Sequence, residues 1–308
     1  LRIKKTISLL LIIILSIFVL VVQARDYSLN NAKVYYKIHE DGTIDVMEYI
    51  TFNFNGEYHG CWLDIPTGNY SIVNPTVKLI DAEGNEMPLR FTFDNDGDNY
   101  RITWYCDSNN ESRTFKIEYK ILKGLKVYDD VAEFYWKVWG SGWKKELPAL
   151  WTEIELPERI NDRSDVLYWL HPKIDGQIGI KKDYKGITSY AKSIDAKQWI
   201  EVRVVFPRRY LSKSLDTNKV EIINGTGKDK IISQETAWQR SDRIKAAGSK
   251  IYTITSLELL VLFLFVVMYV EYGELDPKVE YKGIYKNSSS SGSTSGGGGG
   301  SGGGGGAF

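Results

Sequence analysis

From residue 33 onward the chain alternates apolar and polar residues with a period of two. KVYYKIH (33–39) and TIDVMEYITFNF (43–54) flank Glu40-Asp41-Gly42. Asp-Gly between two alternating runs marks a tight hairpin, because such turns need positive φ and glycine adopts it without strain. Further runs lie near 71–80, 88–93, 99–105, 113–121, 131–139, 150–156 and 199–206. Asp94-Asn95-Asp96-Gly97-Asp98 separates two of them as a turn. Short strands at this spacing predict an all-β, sandwich-like domain. Gly124 separates a first block of strands from a second, so two packed β subdomains are expected, 25–123 and 124–227, with one large sandwich as the alternative. A mostly polar juxtamembrane helix is expected over 228–250.

Two apolar segments frame this region. Arg2, Lys4 and Lys5 precede an apolar run ending near Val22, and Val22-Gln23-Ala24 supplies small residues for cleavage. A charged start, an apolar middle and a small-residue end predict a signal peptide over 1–24. An uncleaved anchor is the alternative. The second segment runs over 254–270, and its core LELLVLFLFVVMYV (257–270) is apolar apart from Glu258. At about 17 residues it is just long enough for a transmembrane helix. The leader then puts the β region outside the cell membrane, with 271–286 as a cytoplasmic juxtamembrane segment. Lysines and arginines around the second span slightly oppose that orientation. Long domains translocate largely regardless of charge, so the leader decides.

Composition narrows the function classes. The chain has 308 residues, with 39 basic and 39 acidic side chains, which gives no electrostatic reason to expect nucleic acid. Its 20 Tyr, 11 Phe and 9 Trp suit half-buried pleated surfaces. Only two cysteines are present, Cys61 and Cys106. Outside the membrane a disulfide between them is chemically allowed, and two free thiols are the alternative. Residues 287–306 contain only Asn, Ser, Thr and Gly, followed by Ala307 and Phe308. Such a run has too little apolar surface to offset chain entropy, so 287–308 is expected to be a disordered tail. An aromatic after a solvated tether is the odd feature. Ala307 and Phe308 are therefore candidates for a short docking element for a partner pocket near the inner membrane surface; an inert tail is the alternative.

Chemical motifs are sparse. There is no HExxH, nucleophile elbow, Walker loop or dinucleotide fingerprint. No catalytic residue, cofactor or metal is assigned, and the chain is not expected to be an enzyme. His59 and Cys61 would share a face of a regular strand, but two ligands do not make a zinc site. Asp94, Asp96 and Asp98 lack the glycine and closing glutamate of a calcium loop. Trp136, Trp139 and Trp143 suit a sandwich core; a sugar-stacking surface is the alternative.

Several segments together resemble a family of predicted membrane proteins, the domain of unknown function 2207 family. They are HEDGTIDVME (39–48), FNGEYHGCWLDIP (54–66), EFYWKVWGSGW (133–143), VVFPRRYLS (204–212) and YGELDPKVEYKGIY (272–285). The glycine-rich tail with its aromatic is also similar. The resemblance implies a signal peptide, an external β-rich domain, membrane spans and a glycine-rich terminus, with no catalytic residues to carry over. Longer members continue after the GIY motif with a cytoplasmic region; here Lys286 leads directly into the Ser/Gly run. The expected function is therefore an envelope interaction module held by one span, with a protein partner in the envelope. The alternative is an extracytoplasmic carbohydrate-binding protein or hydrolase. A pocket joining Trp residues to at least two carboxylates would favour that alternative.

Overall fold

The computed structural model describes residues 25–272 and 303–308. The expected leader, most of the cytoplasmic juxtamembrane segment and most of the Ser/Gly run lie outside the described residues. Residues 25–226 and 303–308 belong to one compact unit and the helix from residue 228 to a second.

The first unit is built almost wholly of strands, in chain order: β1 (Asp26–Ile38), β2 (Ile44–Asn55), β3 (Glu57–Pro66), β4 (Ser71–Ile80), β5 (Glu86–Pro88), β6 (Phe91–Asn95), β7 (Asn99–Asn109), β8 (Ser112–Leu122), β9 (Leu125–Val127), β10 (Val131–Trp139), β11 (Leu147–Glu155), β12 (Leu167–His171), β13 (Gly176–Ile180), β14 (Gly186–Ile194), β15 (Ile200–Pro207), β16 (Glu221–Ile222) and β17 (Gly304–Ala307). They form three sheets. One has eight strands in the order β13-β14-β11-β1-β2-β8-β4-β5, one has five in the order β12-β15-β10-β9-β16, and one has four in the order β17-β3-β7-β6.

The β1–β2 hairpin follows the Asp-Gly signal. The His39 N–H donates to Thr43 O at 2.9 Å, and Gly42 sits at φ 82°. Along β2, Ile44, Val46, Glu48, Ile50 and Phe52 are buried, as alternation requires. Aromatic contacts join the eight-stranded sheet to the other two: Trp104 meets Phe115 at 5.4 Å and Tyr36 meets Phe134 at 5.1 Å between ring centroids. Phe52, Phe115 and Phe134 are fully buried, each contributing roughly 1.5–3 kcal/mol by removal from water.

The boundary expected at Gly124 does not separate two subdomains. β1 pairs in parallel with β11, from Ala32 opposite Leu150 to Lys37 opposite Glu155. Strands from both sides of residue 124 therefore share one sheet. Parallel pairing joins segments distant in sequence, and alternation within each strand carries no record of it.

The second unit contains one continuous helix, α1 (Lys228–Tyr272), where separate helices were expected over 228–250 and 254–270. The described side chains within the expected span, Leu259 to Leu264, are all exposed. Among the described residues no helix is long and apolar enough to cross a membrane.

Candidate functional site

β3 would be an edge strand of its sheet but for residues 303–308. On one side it pairs with β7, on the other with β17. Gly304 lies opposite Asp64, Gly305 opposite Leu63, Gly306 opposite Trp62 and Ala307 opposite Cys61. Phe308 N–H donates to Gly60 O at 3.0 Å, while the N–H groups of His59 and Gly60 both donate to Phe308 O, at 2.8 and 3.3 Å. Two residues of β3 thus face one residue of the added segment, which is the geometry of a β-bulge. The same irregularity appears against β7, between Tyr58 and Gly60.

The added segment is held from its other edge as well. The turn after β10 brings Gly142 N–H to Gly303 O at 2.7 Å. Trp143, in the same turn, stacks on Trp139 with centroids 4.4 Å apart, so its ring is fixed from behind. The Phe308 ring lies 6.2 Å from Trp62 and meets Tyr105 edge-on at 6.1 Å. Arg90 covers Tyr105, its guanidinium carbon 4.3 Å from the ring centre.

Ala307 and Phe308, singled out in the sequence, are seated on this chain's own β3. The seat consists of Gly60, Trp62, Tyr105 and the Gly140–Trp143 turn, none of which the sequence marked as a receptor. Gly140, Ser141 and Gly142 between two tryptophans were the available signal. The pairing also bears on orientation. One span between the β domain and residue 308 puts them on opposite faces of a membrane, whereas pairing within one chain requires the same face.

Cys61 and Cys106 are free thiols. Cys61 lies opposite Trp104, which sets Cys106 two residues further along β7. Diagonal positions lie about 7–8 Å apart, with their Cβ atoms somewhat closer, against a Cβ separation of roughly 4 Å in a disulfide. Burial pushes the Cys61 thiol well above its ordinary pKa, so it is a poor nucleophile. His59 and Cys61 do not share a face: the bulge flips the alternation, leaving His59 exposed and Cys61 buried. His59 Nδ1 instead lies 2.8 Å from an Asp107 carboxylate oxygen. Asp96, in the acidic turn, accepts from the N–H groups of Asp98 and Asn99 at 2.9 and 2.7 Å.

A cavity of about 390 Å³ adjoins the seat, with Gly303 and Gly304 forming part of its wall. Its other walls include Trp136, Trp139 and Trp143 together with Glu48, Glu133 and Glu201. The three tryptophans are buried, at 9%, 2% and 2% exposure, and lie against one another or against Phe134 and Tyr70. They are core residues bordering the cavity. Tyr119 O–H donates to Glu48 at 2.6 Å. Burial raises the Glu48 pKa to about 7, although the Tyr119 bond opposes this. Glu133 is held by Arg203, with Nη2 and Nε at 2.6 and 2.7 Å from one carboxylate oxygen. Among the described residues there is no His, Cys, Asp and Glu grouping suited to a metal.

The fold and this site define a mostly β domain of three sheets, in one of which the open edge is completed by a glycine-rich strand. The chain belongs to the family described as predicted membrane protein (DUF2207) N-terminal domain, which matches residues 28–206. A comparison with curated proteins found no match. Among solved structures, an M1 zinc metallopeptidase from Deinococcus radiodurans is 6% identical with a TM-score of 0.36, over 57% of this chain and 42% of that one. Native leukotriene A4 hydrolase from Saccharomyces cerevisiae is 11% identical with a TM-score of 0.37, over 58% of this chain and 29% of that one. The chain spans less than half the length of either. At these scores the likeness defines neither fold nor activity.

Proposed function

We propose that this chain is a membrane-associated interaction module whose β domain captures an extended, glycine-rich segment by adding it as a strand to β3. The observation that carries this reading is the pairing of Gly304–Ala307 with β3. Strand addition draws affinity from main-chain hydrogen bonds, with pockets for selected side chains. Here the Phe308 ring supplies the side-chain anchor. The reading assigns no catalytic role. It places residues 303–308 on the same side of the membrane as the β domain, by an attachment that leaves both on one face. The exposed apolar side chains from Leu259 to Leu264 support membrane contact.

Hydrogen exchange tests the reading in the full chain, in membranes or mild detergent. Removing residues 303–308 should speed exchange at the His59 and Gly60 amides, which donate to Phe308 O. Unchanged exchange would count against strand capture. A second reading, a carbohydrate ligand, is favoured by the cavity that gathers Trp136, Trp139 and Trp143 beside four glutamates, Glu48, Glu133, Glu201 and Glu221. Its test is calorimetric titration with soluble oligosaccharides, where binding lost in Glu48→Gln would support it and absence of heat would oppose it.

A further inference from the structure

We infer that the seat on β3 selects its occupant by the absence of side chains at four successive positions, followed by a small residue and an aromatic anchor. This rests on the strand-capture reading and names the chemistry of what is captured: an extended Gly-Gly-Gly-Gly-Ala-Phe segment.

An ordinary strand carries side chains alternately on its two faces. Residues 303–306 have room for none on either face. A Cβ on Gly303 would lie 2.6 Å from the Pro66 ring and 2.8 Å from Asp64 O. One on Gly304 would overlap the backbone of Gly142 and Trp143, and one on Gly305 would overlap the Trp143 ring. One on Gly306 would stand 2.6 Å from the Trp62 ring. These obstacles are main chain, a proline ring and aromatic rings, not flexible side-chain ends. Trp143 is backed by Trp139 and cannot swing away without breaking that stack. The turn has the same constraint: a Cβ on Gly140 would overlap Gly303 O.

Ala307 is the first position that carries a Cβ, and Phe308 fills the space over Gly60. A Cβ on Gly60 would meet Trp104 O at 2.3 Å and the Phe308 ring at 2.6 Å, so a glycine there serves both the close approach of β7 and the room for the anchor.

These two residues also solve a register problem. A glycine run has no side-chain pattern to fix its pairing and is prone to slip. Residues 302–306 are all glycine, preceded by Ser301 and followed by Ala307. A slip by one in one direction puts the Ala307 methyl where Gly306 sits, against Trp62. A slip in the other direction withdraws the Phe308 ring from its contacts with Trp62 and Tyr105. Only the observed register keeps four glycines in the slot and the ring in place.

The test uses the full chain carrying Gly305→Val, which disables its own segment, with Gly304→Val as a second variant. A cooperative thermal transition establishes that each is folded. Fluorescein-labelled Gly-Gly-Gly-Gly-Ala-Phe is then titrated by anisotropy. The parent peptide should bind, and alanine at any of the first four positions should weaken binding about tenfold or more. Glycine in place of the alanine should bind within about threefold, and alanine in place of the phenylalanine should weaken binding about tenfold or more. Alanine-substituted peptides that bind as tightly as the parent would overturn the selectivity while leaving strand capture intact. Failure of the parent peptide to bind either folded variant would overturn strand capture itself.

Discussion

Ala307 and Cys61 face each other across β17 and β3 as a non-hydrogen-bonded pair. The neighbouring pair, Phe308 and Gly60, exchanges both main-chain hydrogen bonds, and antiparallel pairs alternate between the two kinds. In a non-hydrogen-bonded pair the Cα atoms approach to about 4.5 Å. A native thiol therefore stands beside the position that marks the glycine strand's register.

The two native cysteines should remain reduced. Their offset along β3 and β7 separates the Cβ atoms beyond disulfide reach, and Cys61 is buried. Alkylation of denatured, unreduced protein should label both thiols. Labelling of neither would reveal a bridge.

Glu48 should make stability depend on pH. Its folded pKa of about 7 lies above the ordinary 4.5, because burial disfavours the charged form. Between those values the folded state keeps a proton that the unfolded state releases. Stability therefore falls as pH rises through this window and levels off above it, a loss of about 3 kcal/mol. Glu48→Gln has no proton to lose. Thermal unfolding should show the variant gaining on the wild type at pH 8 relative to pH 4. Parallel pH profiles for the two proteins would contradict this.

Breaking the buried Glu133–Arg203 pair should be costly. Both side chains are under a tenth exposed. Glu133→Ala leaves the guanidinium buried without that carboxylate and should cost about 3–5 kcal/mol in urea unfolding. Replacing both partners by apolar residues of similar size should cost less than the single change.

Gly140→Ala should expel the glycine strand without unfolding the domain, since its new methyl overlaps Gly303 O and Gly140 lies in a turn. Exchange at the His59 and Gly60 amides should rise while β2 and β8 stay protected. Unaltered exchange at His59 and Gly60 would show that the turn does not close the slot.

The sequence revealed some of this more clearly than the rest, for physical reasons. The β1–β2 hairpin and strands such as β4 and β10 announce themselves by Asp-Gly and by alternation. β14 (GITSYAKSI) and β13 (GQIGI) carry little apolar alternation, and their pairing follows from β11 being in place. The β1–β11 pairing has no local signature, which made one unit look like two. Gly304–Ala307 has poor intrinsic strand preference, and its extended form comes from the slot around it. Phe308 stood out as a docking residue by its position after a solvated run. Its receptor did not, because Gly60, Trp62, Tyr105 and Gly142 converge only once β3, β7 and the β10 turn are folded.

The most direct test of strand capture is a cross-link at the Ala307–Cys61 pair. The full chain carries Ala307→Cys and Cys106→Ser and is oxidised mildly in native membranes, with Cys61→Ala as the control. The predicted result is an intrachain disulfide joining the introduced residue 307 thiol to Cys61. It should be seen as a cross-linked peptide pair from a monomer and be absent in the control. Two free thiols after oxidation, or linkage found only between chains, would contradict the pairing of residues 303–308 with their own β3.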